Sequence, residues 1–179
     1  MSRELTSGAS VPSTNKAEIL AALNNVAAEY SVDPAAIAAV IDMESKWDTT
    51  AVTGRYIGLT QVGPELPREM GLTRAQFLAL SAGKQIEAYG VWLDYYKFTK
   101  KFTAHRINVE MLPVSRQAAV LQGMQFAPNG DRWKAALAAG DLSVRTTTSQ
   151  QARALGDTSI GDMERYYRGF FVGHPPVYA

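Results

Sequence analysis

Residues Val32 to Val62 read VDPAAIAAVIDMESKWDTTAVTGRYIGLTQV, and this stretch decides the fold. Asp33 and Pro34 open it, an N-cap acceptor followed by a residue whose fixed φ and missing N–H suit the first helical position. Ile37, Val40, Ile41 and Glu44 then recur at helical spacing. An apolar stripe therefore ends with a carboxylate on or beside its own face. An acid at the buried end of such a stripe loses solvation, which disfavours its charged form and raises its pKa, the condition a general acid needs near neutral pH. Glu44 is the candidate catalyst. Asp42 lies about 200° around the same helix and faces away. Asp48 would share the face of Glu44 only if the helix continued, and Trp47-Asp48-Thr49-Thr50 reads as its exit.

Outward from this stretch, the chain has the length of one domain that buries a substantial core without disulfide or metal support. Of its 179 residues, 46% are apolar and 20% charged, a globular composition. A net charge of +1 and no basic run longer than Lys100-Lys101 give no case for a nucleic-acid partner. There is no cysteine, hence no disulfide framework or thiolate metal site, and His105 and His174 lack helical partners at metal-ligand spacing. No metal or other cofactor is expected. No stretch is long and apolar enough for a transmembrane segment, and the opening residues MSRELTSGASVPST lack the apolar core of a secretory signal.

Residues 1 to 14, rich in Ser, Thr, Gly and Pro, read as a flexible arm, and residues 15 to 179 as a single domain. Ile19, Leu20, Leu23, Val26, Ala27 and Tyr30 mark a first helix from about Asn15 to Tyr30, and the second runs from Pro34 to about Lys46. Residues 47 to 62 lack helical period and predict an irregular or two-stranded β element, with Gly54 and Gly58 allowing tight turns. A short helix follows the cap Thr73, and a long aromatic-rich helix is expected from Ile86 to about Lys101. Further helices are expected from Pro113 or Ser115 to Gln125, from Arg132 to Ala139 after the cap Asp131, and from Ile160 to Phe171. Arg145-Thr146-Thr147-Thr148-Ser149 reads as a solvated loop. The class is all-α with a minor β feature.

Val32-Asp33-Pro34 with its Ala/Ile run, then Glu44-Ser45, then Gly58-Leu59-Thr60-Gln61 resembles the soluble lytic transglycosylase family of peptidoglycan-cleaving enzymes and its goose-type lysozyme relatives. The family's ordered signature is a helix ending in Glu-Ser, a short irregular stretch and Gly-Leu-Met-Gln; Thr60 replaces the Met. Gln85-Ile86-Glu87-Ala88 through Trp92-Leu93 is similar to the family's Asn-Ile-x-Ala-Gly-x-x-Tyr-Leu helix. After about residue 96 the likeness weakens. The family's Ala-Tyr-Asn-Ala-Gly-Pro-Gly segment aligns with Gly123 to Asn129, so Met124 stands for Tyr and Gln125 for Asn. Asp162-Met163-Glu164-Arg165-Tyr166-Tyr167 resembles Glu-Thr-x-x-Tyr-Val, which sets Tyr166 near the catalytic carboxyl, with Tyr167 the alternative one register away.

The resemblance implies a lysozyme-like domain that binds peptidoglycan glycan strands and cleaves the β-1,4 bond between N-acetylmuramic acid and N-acetylglucosamine, leaving a 1,6-anhydro product. It implies a single Glu, here Glu44, acting as acid and then as base. Ser45, Gly58, Leu59, Thr60, Gln61, Gln125 and Tyr166 would form the substrate site. Gly58 would allow close backbone approach, Leu59 would pack inward, and the Gln61 and Gln125 amides would face glycan. Trp47, Tyr56, Tyr89, Trp92, Tyr95 and Tyr96 can stack on sugars or pack the core. Such a substrate lies outside the cytoplasm, in the periplasm or cell wall. A virion, a lysis system or a specialised secretion machine would then be the carrier unless a leader was removed. The alternatives are a hydrolytic muramidase on the same fold and a non-catalytic glycan-binding or structural component of a virion or secretion machine.

Overall fold

The computed structural model describes residues 3–147 and 158–179. These are mostly helical, with two small two-stranded sheets. The helices are α1 (Lys16–Tyr30), α2 (Pro34–Ser45), α3 (Glu65–Glu69), α4 (Arg74–Leu78), α5 (Ala82–Tyr95), α6 (Phe98–Ala104), α7 (Val114–Phe126), α8 (Asp131–Ala138) and α9 (Ile160–Gly173). The strands are β1 (Leu5–Ser7), β2 (Val52–Thr53), β3 (Tyr56–Ile57) and β4 (Val177–Tyr178). Packing runs in the order α5, α1, α2, α7, α9, which makes α2 the centre of the array.

α2 starts as its sequence dictates. The Asp33 side chain accepts from Ala35 N at 2.9 Å, and Pro34 occupies the first turn. Its burial is more complete than a single stripe: every residue from Pro34 to Ile41 is buried, because small alanines let α1 and α7 approach on both sides. Removing Ile37, Val40 and Ile41 from water contributes roughly 1.5–3 kcal/mol each. The helix ends when Lys46 and Trp47 turn left-handed, at φ 52° and 67°. Glu44 is thus carried on the last turn of the most buried helix. Asp42 pairs with Lys46 at 2.6 Å, and exposed Asp48 caps Thr50. Neither bonds to Glu44.

Residues 5 to 7, expected to belong to a flexible arm, form a strand instead. β1 pairs antiparallel with β4 at the other end of the chain, Leu5 is 1% exposed, and Asn24 of α1 bonds both the N–H and the carbonyl of Leu5. The Tyr178 hydroxyl, on β4, lies 2.9 Å from both carboxylate oxygens of Asp33, tying the chain's end to the start of α2. The long helix expected from Ile86 to Lys101 is two helices, α5 and α6, divided where Lys97 adopts φ 56°. The break lets Phe98 and Phe102 turn inward, their rings 4.8 Å apart and tilted by 48°. The expected solvated loop at Arg145 is also anchored. Arg145 bridges Ser159, and Thr146 is buried with its hydroxyl donating to the Thr158 carbonyl at 2.8 Å. Thr148 and Ser149 lie outside the described residues.

α9 is clamped onto α7 by a buried carboxylate. Glu164 is 2% exposed and takes Arg116 at 2.8 Å from α7 and Arg168 at 2.9 Å from its own helix. Burial pushes its carboxyl up, but the two guanidinium hydrogen bonds and charges outweigh that and hold it below the ordinary carboxylate range. No helix among the described residues is long and apolar enough to cross a membrane.

Candidate functional site

A cleft of about 860 Å³ opens beside the end of α2. Its wall carries Glu44 and Met43 from α2, Gln122 and Gln125 from α7, Gln61, and the β2–β3 hairpin. Among the described residues that line it, Glu44 is the only carboxylate.

Burial raises the Glu44 carboxyl to about 7, and one hydrogen bond from Gln122 pulls the other way without cancelling it. The residue is partly exposed because the cleft opens onto it, while the protein around it removes most of its hydration. Gln122 Nε2 donates to Glu44 Oε1 at 2.5 Å. Gln122 Oε1 in turn accepts from the Tyr167 hydroxyl of α9 at 2.7 Å. Gln122 is 1% exposed and Tyr167 fully buried, so α2, α7 and α9 converge on one line of polar contacts inside an apolar core. An amide can serve both states of the acid. It donates N–H to the carboxylate, and turned over it accepts from the protonated carboxyl while donating to the tyrosine oxygen.

The segment from Gly58 to Gln61 passes behind this acid. Gly58 has φ +76°, and a Cβ there would meet Gln85 Oε1 at 2.6 Å and Phe77 Cε1 at 2.9 Å, so only glycine fits. Gln85, buried on α5, accepts from Leu59 N at 2.9 Å and donates to the Thr49 carbonyl at 2.9 Å, fixing both ends of the irregular stretch. Leu59 packs inward, buried in the core.

Gln61 departs from its expected role. Its Nε2 donates to the carbonyls of Gly58 at 2.9 Å and Ala51 at 3.2 Å, while its backbone adopts φ 47°. The amide holds the turn, and its Oε1 is buried without a hydrogen-bond partner among the described residues. Gln125 lines the cleft and donates through Nε2 to the Thr60 carbonyl at 3.1 Å, linking α7 to the turn. Thr60 itself is buried and outside the cleft lining. Ser45 donates to the Ile41 carbonyl one helical turn back, at 3.2 Å, and does not line the cleft.

Tyr166 is not the tyrosine that reaches the acid. It is half-buried, in the field of Lys46 and Asp42, and the neighbouring Tyr167 occupies the inner register. Burial, followed by the charge of Glu44, pushes the Tyr167 phenol far up, so it acts as a neutral donor. Of the six aromatics that can stack on sugars or pack the core, Tyr56 alone is among the described residues that line the cleft. Tyr89 and Trp92 stack on each other in the core at 5.6 Å. The Tyr89 hydroxyl lies in the field of Glu44 and beside Gln125 without a hydrogen bond of good geometry.

Gln122 is the residue that sequence reading missed. The signal was present: Gln122 lies within the run Ala118 to Met124, which is otherwise small or apolar. An amide on the inward face of such a helix needs a buried partner. Among the described residues no group of three or more His, Asp or Glu side chains is arranged to hold a metal ion. No family model, curated protein or solved structure matches this chain.

Proposed function

We propose that this chain is a peptidoglycan lytic transglycosylase of lysozyme-like fold that cuts the β-1,4 bond between N-acetylmuramic acid and N-acetylglucosamine. The observation that carries the reading is Glu44: one carboxyl, raised to about 7, at the end of a buried helix and on the wall of an open cleft. The motif resemblance of Glu44-Ser45 and Gly58-Leu59-Thr60-Gln61 supplies the reaction class.

In this reading Glu44 gives its proton to the bridging oxygen as the bond from that oxygen to the anomeric carbon breaks. The N-acetyl carbonyl oxygen bonds to the anomeric carbon and holds the developing positive charge. The C6 hydroxyl of the same muramic acid then displaces it and returns a proton to the Glu44 carboxylate. Atoms and protons balance with no water consumed. The Gln122 amide, oriented by Tyr167, donates to the carboxylate and, by turning over, accepts from the protonated acid.

The motif resemblance supports transfer within the sugar over hydrolysis, since its family works with a single Glu. The site of action is the cell wall, outside the cytoplasm. The test is Glu44→Gln, a near-isosteric change that removes the transferable proton. It is expected to abolish wall clearing while retaining binding to sacculi. Equal clearing by variant and parent would overturn the reading.

A further inference from the structure

The β2–β3 hairpin places Arg55 on the cleft wall, where it is the only side chain of permanent charge among the described lining residues. It is exposed, yet its guanidinium is oriented. Nη2 lies 3.2 Å from the Tyr56 hydroxyl, and Cζ lies 5.2 Å from the Tyr56 ring centre. The hairpin is braced from outside by Arg74 of α4, whose Nη2 donates to the Gly54 carbonyl at 3.2 Å. Among the described residues Arg55 makes no ion pair with a carboxylate: Glu65, the acid whose field reaches it, takes the Tyr96 hydroxyl at 3.2 Å instead. A planar fork of N–H donors, held on an aromatic ring and without a carboxylate partner among the described residues, is suited to a carboxylate supplied by a ligand.

We propose that Arg55 binds a carboxylate on the lactyl arm of the muramic acid residue, and so selects acidic glycan over neutral polymers of N-acetylglucosamine. The inference rests on the transglycosylase reading and names what that site recognises. Two sources supply the chemistry: the lactyl carboxylate itself where no peptide is attached, or the carboxylates of the stem peptide where one is. Apart from Glu44, the same cleft offers the half-buried Gln125 amide and apolar surface from Met43 and Phe126, a lining that suits sugar rings and acetamido groups. Arg55 therefore carries the discrimination between charged and uncharged strands. As an exposed contact it acts on affinity more than on the chemical step, and added salt weakens it.

The test measures affinity for three tetrasaccharides on the Glu44→Gln background, with and without Arg55→Ala and Arg55→Lys. One carries stem peptides, one carries peptide-free muramic acid, and one is chitotetraose. Arg55→Ala is expected to weaken one or both acidic ligands about fivefold and to leave chitotetraose unchanged, and Arg55→Lys to restore only part of the loss. The acidic ligand that responds identifies the source of the carboxylate. Equal weakening of all three would assign the hairpin a purely structural role, and no change on any would remove Arg55 from recognition; either overturns the inference. Neither result touches the transglycosylase reading, which is decided separately by whether the parent cleaves the muramic-acid ligands and Glu44→Gln does not.

Discussion

Gln122 Nε2 and Glu44 Oε1, 78 positions apart in the chain, meet at 2.5 Å because α7 packs against α2 along their buried faces. This contact couples the candidate acid to the helix array: whatever moves α7 relative to α2 moves that carboxyl. Gln122→Leu keeps approximate volume but removes the one hydrogen bond that lowers the Glu44 pKa, and leaves the buried Tyr167 hydroxyl without an acceptor. The expected cost is about 1–3 kcal/mol of stability. The alkaline limb of the activity profile is also expected to move to higher pH. Denaturant unfolding and a pH–rate profile measure the two effects independently.

The pH dependence of activity has a definite sign. A general acid works protonated, so kcat/KM is expected to be level below about pH 7 and to fall as pH rises through the value held by Glu44. A profile that rises through the same range would mean that the ionised form acts first.

Stability carries the same signature. Glu44 holds its proton to higher pH when folded than when unfolded, so between the ordinary carboxyl pKa of 4.5 and about 7 the folded state binds more protons. Its contribution to stability is therefore lost as pH rises through that window. Glu44→Gln, which cannot ionise, is expected to be more stable than the parent at pH 8 by about 2 kcal/mol, allowing for water in the cleft, and nearly equal to it at pH 4. Paired urea titrations at the two pH values provide the measurement.

Glu164 works in the opposite direction. Its folded pKa is depressed, so the α7–α9 clamp is fully present above the ordinary carboxyl pKa and is lost as pH falls through the folded value. Glu164→Gln leaves Arg116 and Arg168 without their charge partner and is expected to cost roughly 3 kcal/mol at neutral pH, with a smaller difference under acid conditions. Thermal unfolding of variant and parent at pH 7 and pH 3 checks this.

Gly58→Ala tests the turn behind the acid. The left-handed φ and the 2.6 Å approach to Gln85 Oε1 together predict a loss of about 2 kcal/mol, and a larger proportional loss of activity, because Gln61 and the cleft wall shift with the turn. A variant of unchanged stability would show that Gln85 yields freely.

Much of the fold was legible in local chemistry. The Asp33 cap and Pro34 fix where α2 begins, and the apolar residues that follow mark it as the helix to bury. The residues without helical period after Trp47 form the hairpin expected there. Long-range pairings were not legible. β1 is three residues long and finds its partner at the far end of the chain, so composition alone made it an arm. The break at Lys97 involves neither Pro nor Gly; inward packing of Phe98 and Phe102 accompanies it.

At the site, a residue's type was easier to read than what it bonds. The spacing set Glu44 at the end of an apolar stripe, and the structure places it on the cleft wall. The amide of Gln61 is taken by carbonyls of its own turn and the hydroxyl of Ser45 by the Ile41 carbonyl one helical turn back, local bonds that no motif encodes. The choice between Tyr166 and Tyr167 was open to a finer reading. Ile160, Met163, Glu164 and Tyr167 recur at helical spacing along the buried face of α9, which selects Tyr167.

The central claim is that one carboxyl donates and then recovers a proton while the sugar closes on itself. Mass spectrometry of sacculi digested in ¹⁸O-labelled water tests it most directly. The account predicts 1,6-anhydro ends free of label from the parent and no products from Glu44→Gln. Reducing ends carrying ¹⁸O, or the same products from both proteins, would contradict it.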